Sequence, residues 1–270
     1  MNKVVLITGA STGIGKETAI CLAKNNYTVY AAARRLDKMK DLEPVGINIL
    51  SMDVTDDGSM VRGVQQIFEK EKRIDVLVNN AGYGGYGAIE DVSIANAKQQ
   101  LEVNLFGAAR LIQLVLPEMR AKRFGKIINI SSIGGKFATP YGGWYHASKF
   151  ALEALSDSLR NEVKQFGIDV IVVEPGGVKS EWAEIAIDNL LKGSATSAYK
   201  TTIDRFVAFL KKSTENNSEP SVIARLILSS IEAKNPRFRY VGGYNANLAV
   251  IARKLLSDKM FDRMILGQMK

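Results

Sequence analysis

The sequence of 270 residues predicts an α/β chain, a single doubly wound parallel sheet with helices on both faces, and residues 1–270 read as one domain. Short apolar, β-branched runs alternate with longer amphipathic stretches along the chain. A glycine-rich segment stands between the first such run and the first helical stretch. No internal repeat, low-complexity tract or linker divides the chain.

Val4-Val5-Leu6-Ile7 has the composition of a fully buried strand. Thr8-Gly9-Ala10-Ser11-Thr12-Gly13-Ile14-Gly15 follows at once, and Ile14, Thr18, Ala19 and Leu22 begin a helical pattern. The glycines allow a tight turn and close approach of backbone to a ligand, while the helix amino terminus presents N–H groups and a positive dipole end. Strand, glycine-rich turn and helix in this order are the setting of a dinucleotide-binding fingerprint. The second strand, 27–33, runs into Arg34 and Arg35. An NAD-preferring domain carries a carboxylate at this strand end for the ribose 2′-hydroxyl. Two guanidinium groups suit a 2′-phosphate instead, so NADP is the expected cofactor, with Arg34 the better placed. The competing reading makes both ordinary surface charges, and Asp37 would reach the ribose only across an unusually short turn.

Strands at 47–50, 74–79, 126–131 and 168–173 alternate with helices around 60–68, 94–120 and 143–166, the second of these expected to kink or end near Pro117. Two amphipathic helices are expected within 181–219, then a helix at 220–233, a strand at 237–241 and a basic amphipathic helix over about 245–266. That last helix either rests on a membrane interface or docks on its own domain or another subunit.

Tyr145 and Lys149, four residues apart on a predicted helix, share one face, with Ser132 upstream. A phenol titrates near ~10 when left alone, and a neighbouring cation favours its phenolate. The pair is therefore a proton donor and acceptor for a carbonyl/alcohol couple, although a lone Tyr-x-x-x-Lys is in many proteins only a helix face.

Together with Asp53-Val54, Asn79-Asn80-Ala81-Gly82, Asn104 and Pro175-Gly176, these motifs resemble the short-chain dehydrogenase/reductase family as far as about residue 180. The Gly-Tyr-Gly after Asn79-Asn80-Ala81-Gly82 and the Gly-Gly after Ser132 are most similar to its steroid, retinoid and acyl-lipid ketone reductases. The resemblance implies a Rossmann-type fold and hydride transfer between nicotinamide C4 and a carbonyl or carbinol carbon. It implies a cofactor-binding set of Gly9, Ser11, Thr12, Gly13, Ile14, Gly15, Arg34, Asp53, Val54, Asn80, Ala81, Gly82, Tyr145, Lys149, Pro175, Gly176, Val178 and Ser180. Serine at 180 stands where the family usually has threonine. Asn80 could equally serve a sheet-stabilising turn. By the same resemblance Ser132 hydrogen-bonds the substrate oxygen, Tyr145 gives or takes its proton, and Lys149 depresses the phenol pKa and holds the ribose hydroxyls. Asn104 anchors a water beside Lys149, or caps a helix kink. The family also implies a substrate lid over 176–219 and a homodimer or homotetramer built on the two long helices.

Thirty-six basic against 28 acidic residues give a net charge of +8, but the basic residues are scattered and form no nucleic-acid module, so no nucleic-acid partner is expected. A single cysteine, Cys21, fits a reducing cytosol, and a single histidine without a Cys/His cluster argues against a metal site. The first strand begins by residue 4, which leaves no room for a signal peptide, and no apolar run has spanning length; a cytoplasmic location without an integral membrane segment is expected. Tyr83, Tyr86, Phe137, Tyr141 and Trp144 either wall a pocket for a hydrophobic carbonyl or alcohol substrate or pack in the core. His146 points roughly 100° round the helix from Tyr145 and is assigned no catalytic role. Three readings remain: an NADP(H)-dependent ketone/alcohol oxidoreductase for hydrophobic small molecules, a 3-oxoacyl-carrier-protein reductase, and a non-catalytic nucleotide-binding relative.

Overall fold

A computed structural model describes residues 2–269. Its strands are β1 (Val4–Thr8), β2 (Thr28–Ala33), β3 (Asn48–Ser51), β4 (Val76–Asn79), β5 (Gly125–Ile130), β6 (Ile168–Pro175) and β7 (Arg239–Gly242). They form one sheet in the order β3-β2-β1-β4-β5-β6-β7, and every neighbouring pair is parallel. The order reverses between β1 and β4, where Ile7 pairs with Ala31 on one side and Val78 on the other. Open α/β sheets bind ligands beyond the carboxyl ends of the strands at such a switch point.

The helices are α1 (Gly13–Lys24), α2 (Asp57–Glu71), α3 (Ile94–Leu101), α4 (Gly107–Ala121), α5 (Gly143–Val163), α6 (Glu181–Ser194), α7 (Lys200–Thr214), α8 (Pro220–Glu232), α9 (Ala246–Leu255) and α10 (Asp258–Gly267). Alternate strand residues feed two cores on opposite faces. Val5, Ile7, Val29 and Ala31 pack with α1 and α8, while Leu6, Tyr30, Leu77 and Ile127 pack with α2, α4 and the end of α5. Coverage on both faces is why the strands read as unbroken apolar runs.

Three elements depart from the sequence-based expectation. The helix expected over 94–120 does not end at Pro117; α4 runs through that proline to Ala121. The irregularity lies at Glu102–Phe106, a wide π turn in which Asn104 is turned inward. The tail is not one helix but two, broken where Leu256 and Ser257 adopt extended backbone. The corner lets Phe261 bury against Phe137, ring centroids 5.1 Å apart, with Arg253 and Asp258 paired across it at 2.6 Å. That side of the tail docks on its own domain, while Leu248, Ile251 and Leu255 face outward. Finally, Leu36–Val45 forms a tight 3₁₀ segment burying Met39 and Leu42, where no element was expected. Among the described residues no helix is long and apolar enough to cross a membrane.

Candidate active site

The carboxyl ends of β1, β4, β5 and β6 open on one cavity of about 760 Å³. The turn after β1 closes so tightly that two glycines are required. Gly9 has φ +65°, and a Cβ there would lie 2.8 Å from Ala81 Cα. A Cβ on Gly15 would lie 2.4 Å from Gly9 O, so Gly15 sits under the turn rather than on the cavity wall. Asn80 Nδ2 donates to Thr8 O at 3.0 Å and Gly9 O at 3.1 Å, and Thr8 Oγ1 accepts from the backbone of Asn80 and Ala81. The Asn80 side chain thus ties β1 to β4.

Thr12 precedes α1 without capping it through its side chain, and no acidic residue occupies the first turn. The first N–H groups of α1 are left for an anion at the cavity, where Ser11, Gly13 and Ile14 also stand. At the far end lie Ala33, Arg34, Asp53 and Val54. Asp53 Oδ1 is occupied by Thr55, accepting from its N–H at 2.9 Å and its hydroxyl at 2.8 Å. Arg35 and Lys38 reach Glu181 at 3.6 and 3.2 Å, whereas Arg34 makes no ion pair among the described residues. Asp37 lies in the first turn of the 3₁₀ segment and does not line the cavity. Glycine-walled turn, uncapped helix end and unclaimed guanidinium fit a phosphorylated dinucleotide. Pro175, Gly176, Val178 and Ser180 continue the wall along β6 and into α6, where the Ser180 side chain caps the helix. Ala81 and Gly82 face them after β4.

Ser132, Tyr145 and Lys149 line the same cavity. Ser132 Oγ accepts from Gly134 N–H at 2.9 Å, and Lys149 Nζ donates to Ile130 O at 2.8 Å. Burial pushes the Tyr145 phenol up to about 12, with the Ser132 hydroxyl pulling the other way. Burial likewise pulls Lys149 down to about 8, opposed by Glu153 one turn further along. The expected depression of the phenol by Lys149 is therefore not what this structure holds. Loss of solvation sets the direction, and Lys149, whose ammonium is turned to a backbone carbonyl, is not among its causes. A phenol protonated at neutral pH is equipped to give a proton.

Asn104 does not line the cavity. Its Oδ1 accepts from Tyr83 N–H, and its Nδ2 donates to Tyr83 O and Ser148 Oγ, all at 3.0 Å. Both amide hydrogens are committed, tying the π turn to the segment after β4 and to α5 and not to the backbone of the turn itself. Of the aromatic candidates Tyr83, Tyr86 and Phe137 line the cavity; Tyr141 and Trp144 do not, Tyr141 instead bonding Thr202 of α7 at 2.6 Å. The sequence reading missed two walls. Trp182 of α6 stands 5.2 Å from the Tyr145 ring, and Phe206 of α7 stacks 6.1 Å from Tyr86. In sequence both were only apolar positions of amphipathic helices, and nothing local marks where they point.

The short chain dehydrogenase family model matches residues 3–189. A 3-ketodihydrosphingosine reductase of Bacteroides thetaiotaomicron is 39% identical over 260 residues, covering 96% of this chain and 94% of its own. An NADPH-dependent 3-dehydrocapnine reductase of Ornithobacterium rhinotracheale is 34% identical, covering 99% of this chain and 98% of its own. The crystal structure of a short-chain dehydrogenase from Streptomyces avermitilis superposes with a TM-score of 0.83 at 29% identity, covering 99% of this chain and 98% of that one.

Proposed function

The chain belongs to the short-chain dehydrogenase/reductase family, a family of oxidoreductases, and from that premise we propose that it interconverts a ketone and a secondary alcohol on a hydrophobic small molecule, using NADP(H). The observation that carries this is one cavity with the uncapped amino end of α1 and Arg34 at one end and Ser132, Tyr145 and Lys149 at the other. NADPH bound along that wall would supply the hydride to the carbonyl carbon. Ser132 donates a hydrogen bond to the substrate oxygen, and the neutral phenol of Tyr145 delivers the proton that completes the alcohol. In the oxidative direction the phenolate removes it. Lys149 holds the ribose hydroxyls and keeps a positive charge near the reacting oxygen. Asp53 and Val54 receive the adenine end. Asn80, Ala81, Gly82, Pro175, Gly176, Val178 and Ser180 bring backbone and small side chains against the cofactor.

Tyr86, Phe137, Trp182, Phe206 and Phe209 around the reacting end support an apolar substrate, as do relatives named as reductases of 3-ketodihydrosphingosine and 3-dehydrocapnine. The second of these is named as NADPH-dependent, in keeping with Arg34. Phe106 and Phe150 stay 51% and 45% exposed on the two long helices, which supports a homodimer or homotetramer formed there. A reducing cytoplasm suits Cys21, the one free thiol.

The test is NADPH consumption with free long-chain ketones and with 3-oxoacyl groups on an acidic carrier protein. Turnover of the free ketones is expected. Turnover of carrier-bound substrates alone would replace this reading with the acyl-carrier reductase, and NADPH binding without any turnover would leave a nucleotide-binding protein.

A further inference from the structure

The neighbour of the proton donor, His146, occupies a slot shaped to its ring. A Cβ on Gly134 would lie 3.0 Å from its Nδ1, and a Cβ on Gly142 would lie 2.7 Å from its Nε2. The ring is buried, and each nitrogen meets a backbone group of single role, Nε2 also meeting the Thr139 hydroxyl. Thr139 N–H, which can only donate, points at Nε2 at 3.1 Å; Gly134 O, which can only accept, lies 2.9 Å from Nδ1. The Thr139 hydroxyl, also 3.1 Å from Nε2, can donate or accept, but the backbone N–H aimed at Nε2 disfavours a hydrogen there, so the set favours a neutral ring with its hydrogen on Nδ1. Burial acts in the same direction, lowering the His146 pKa.

Gly134 is also the residue whose N–H donates to Ser132 Oγ at 2.9 Å. A continuous chain therefore runs from Thr139 through the imidazole and Gly134 to Ser132. With that lone pair occupied, the Ser132 hydroxyl hydrogen is directed elsewhere, towards the Tyr145 phenol oxygen, and it reaches Pro175 O only at a long 3.4 Å. We propose that His146 is a positioning residue: clamped between Thr139 and Gly134, it holds the turn that aims the Ser132 hydroxyl at the substrate oxygen. The same clamp fixes the 134–142 loop, which brings Phe137 and Thr139 to the cavity wall. The role rests on the oxidoreductase reading of this cavity.

Two measurements test it. His146 is the single histidine of the chain, so ¹⁵N NMR of untagged, histidine-labelled protein reports one ring. The Nδ1–H tautomer is expected at pH 7; an Nε2–H tautomer or an imidazolium would overturn the proposal. The second is a double-mutant cycle with Ser132→Ala. His146→Phe should lower kcat by about ten- to a hundredfold with NADPH affinity unchanged, as for a small misplacement of a reacting group. His146→Gln, which keeps a planar donor and acceptor, should recover much of that loss, and His146→Leu replaces Phe in the cycle if the Phe variant does not fold. Ser132→Ala with His146→Phe should lose no more than Ser132→Ala alone. Losses that multiply would mean that His146 acts on general packing and not through Ser132. A wild type inert toward all carbonyl compounds would sink the functional reading; multiplying losses in an active enzyme, or the wrong tautomer, sink only the positioning role.

Discussion

The ammonium of Lys149 lies 2.8 Å from the carbonyl oxygen of Ile130, joining the middle of α5 to the carboxyl end of β5. Among the described residues no carboxylate pairs with it, and burial drives its displacement from 10.5 to about 8 against the pull of Glu153.

This buried charge opposes folding. Because the folded pKa is depressed, the native state binds fewer protons than the unfolded chain between about 8 and 10.5, and stability rises with pH across that window. Lys149→Met should therefore stabilise the protein at pH 7 by roughly 1–3 kcal/mol, less whatever the orphaned Ile130 carbonyl costs, while abolishing turnover. The gain should shrink by pH 10. Urea unfolding at the two pH values measures it, and a variant less stable than wild type at pH 7 contradicts it.

In the proposed mechanism, carbonyl reduction needs the Lys149 cation and a protonated Tyr145. With the phenol at about 12, the lysine titrates first. The rate of reduction should be full below pH 8 and decline as pH rises through about 8. A profile flat to pH 10 would show that the lysine charge is not needed.

Tyr145→Phe removes the proton donor but keeps the ring that packs against Tyr86 and Trp182. Reduction should fall by about 10²–10⁴, the usual worth of a positioned general acid. NADPH binding, read by fluorescence titration, should change little. Substantial residual turnover would assign the proton to another group.

Arg34 has no carboxylate partner among the described residues, unlike Arg35, which shares Glu181 with Lys38. Arg34→Ala should weaken NADPH by about tenfold, for the loss of one charge-assisted contact, and leave NADH nearly unaffected. Tighter binding of NADH than NADPH by the wild type would overturn the cofactor assignment.

The order of strands and helices, the glycine turn and the Tyr145/Lys149 spacing were all legible in the sequence, because each is local: periodicity sets the element, and a gap of four on a helix sets a shared face. Local signals failed where a partner comes from far along the chain. The break at 102–106 follows from Asn104 bonding Tyr83 and Ser148, not from Pro117, whose single missing N–H α4 tolerates near its end. The corner in the tail follows from Phe261 finding Phe137. Trp182 and Phe206 became cavity walls only when α6 and α7 folded over the strand ends. The sequence by itself determined which residues would meet: a phenol, an ammonium and a hydroxyl on one cavity with a glycine-rich turn. Tertiary structure decided the acidities of Tyr145 and Lys149 and the partners of His146, since desolvation and hydrogen-bond geometry depend on everything packed around a group, and spacing along a helix carries no record of it.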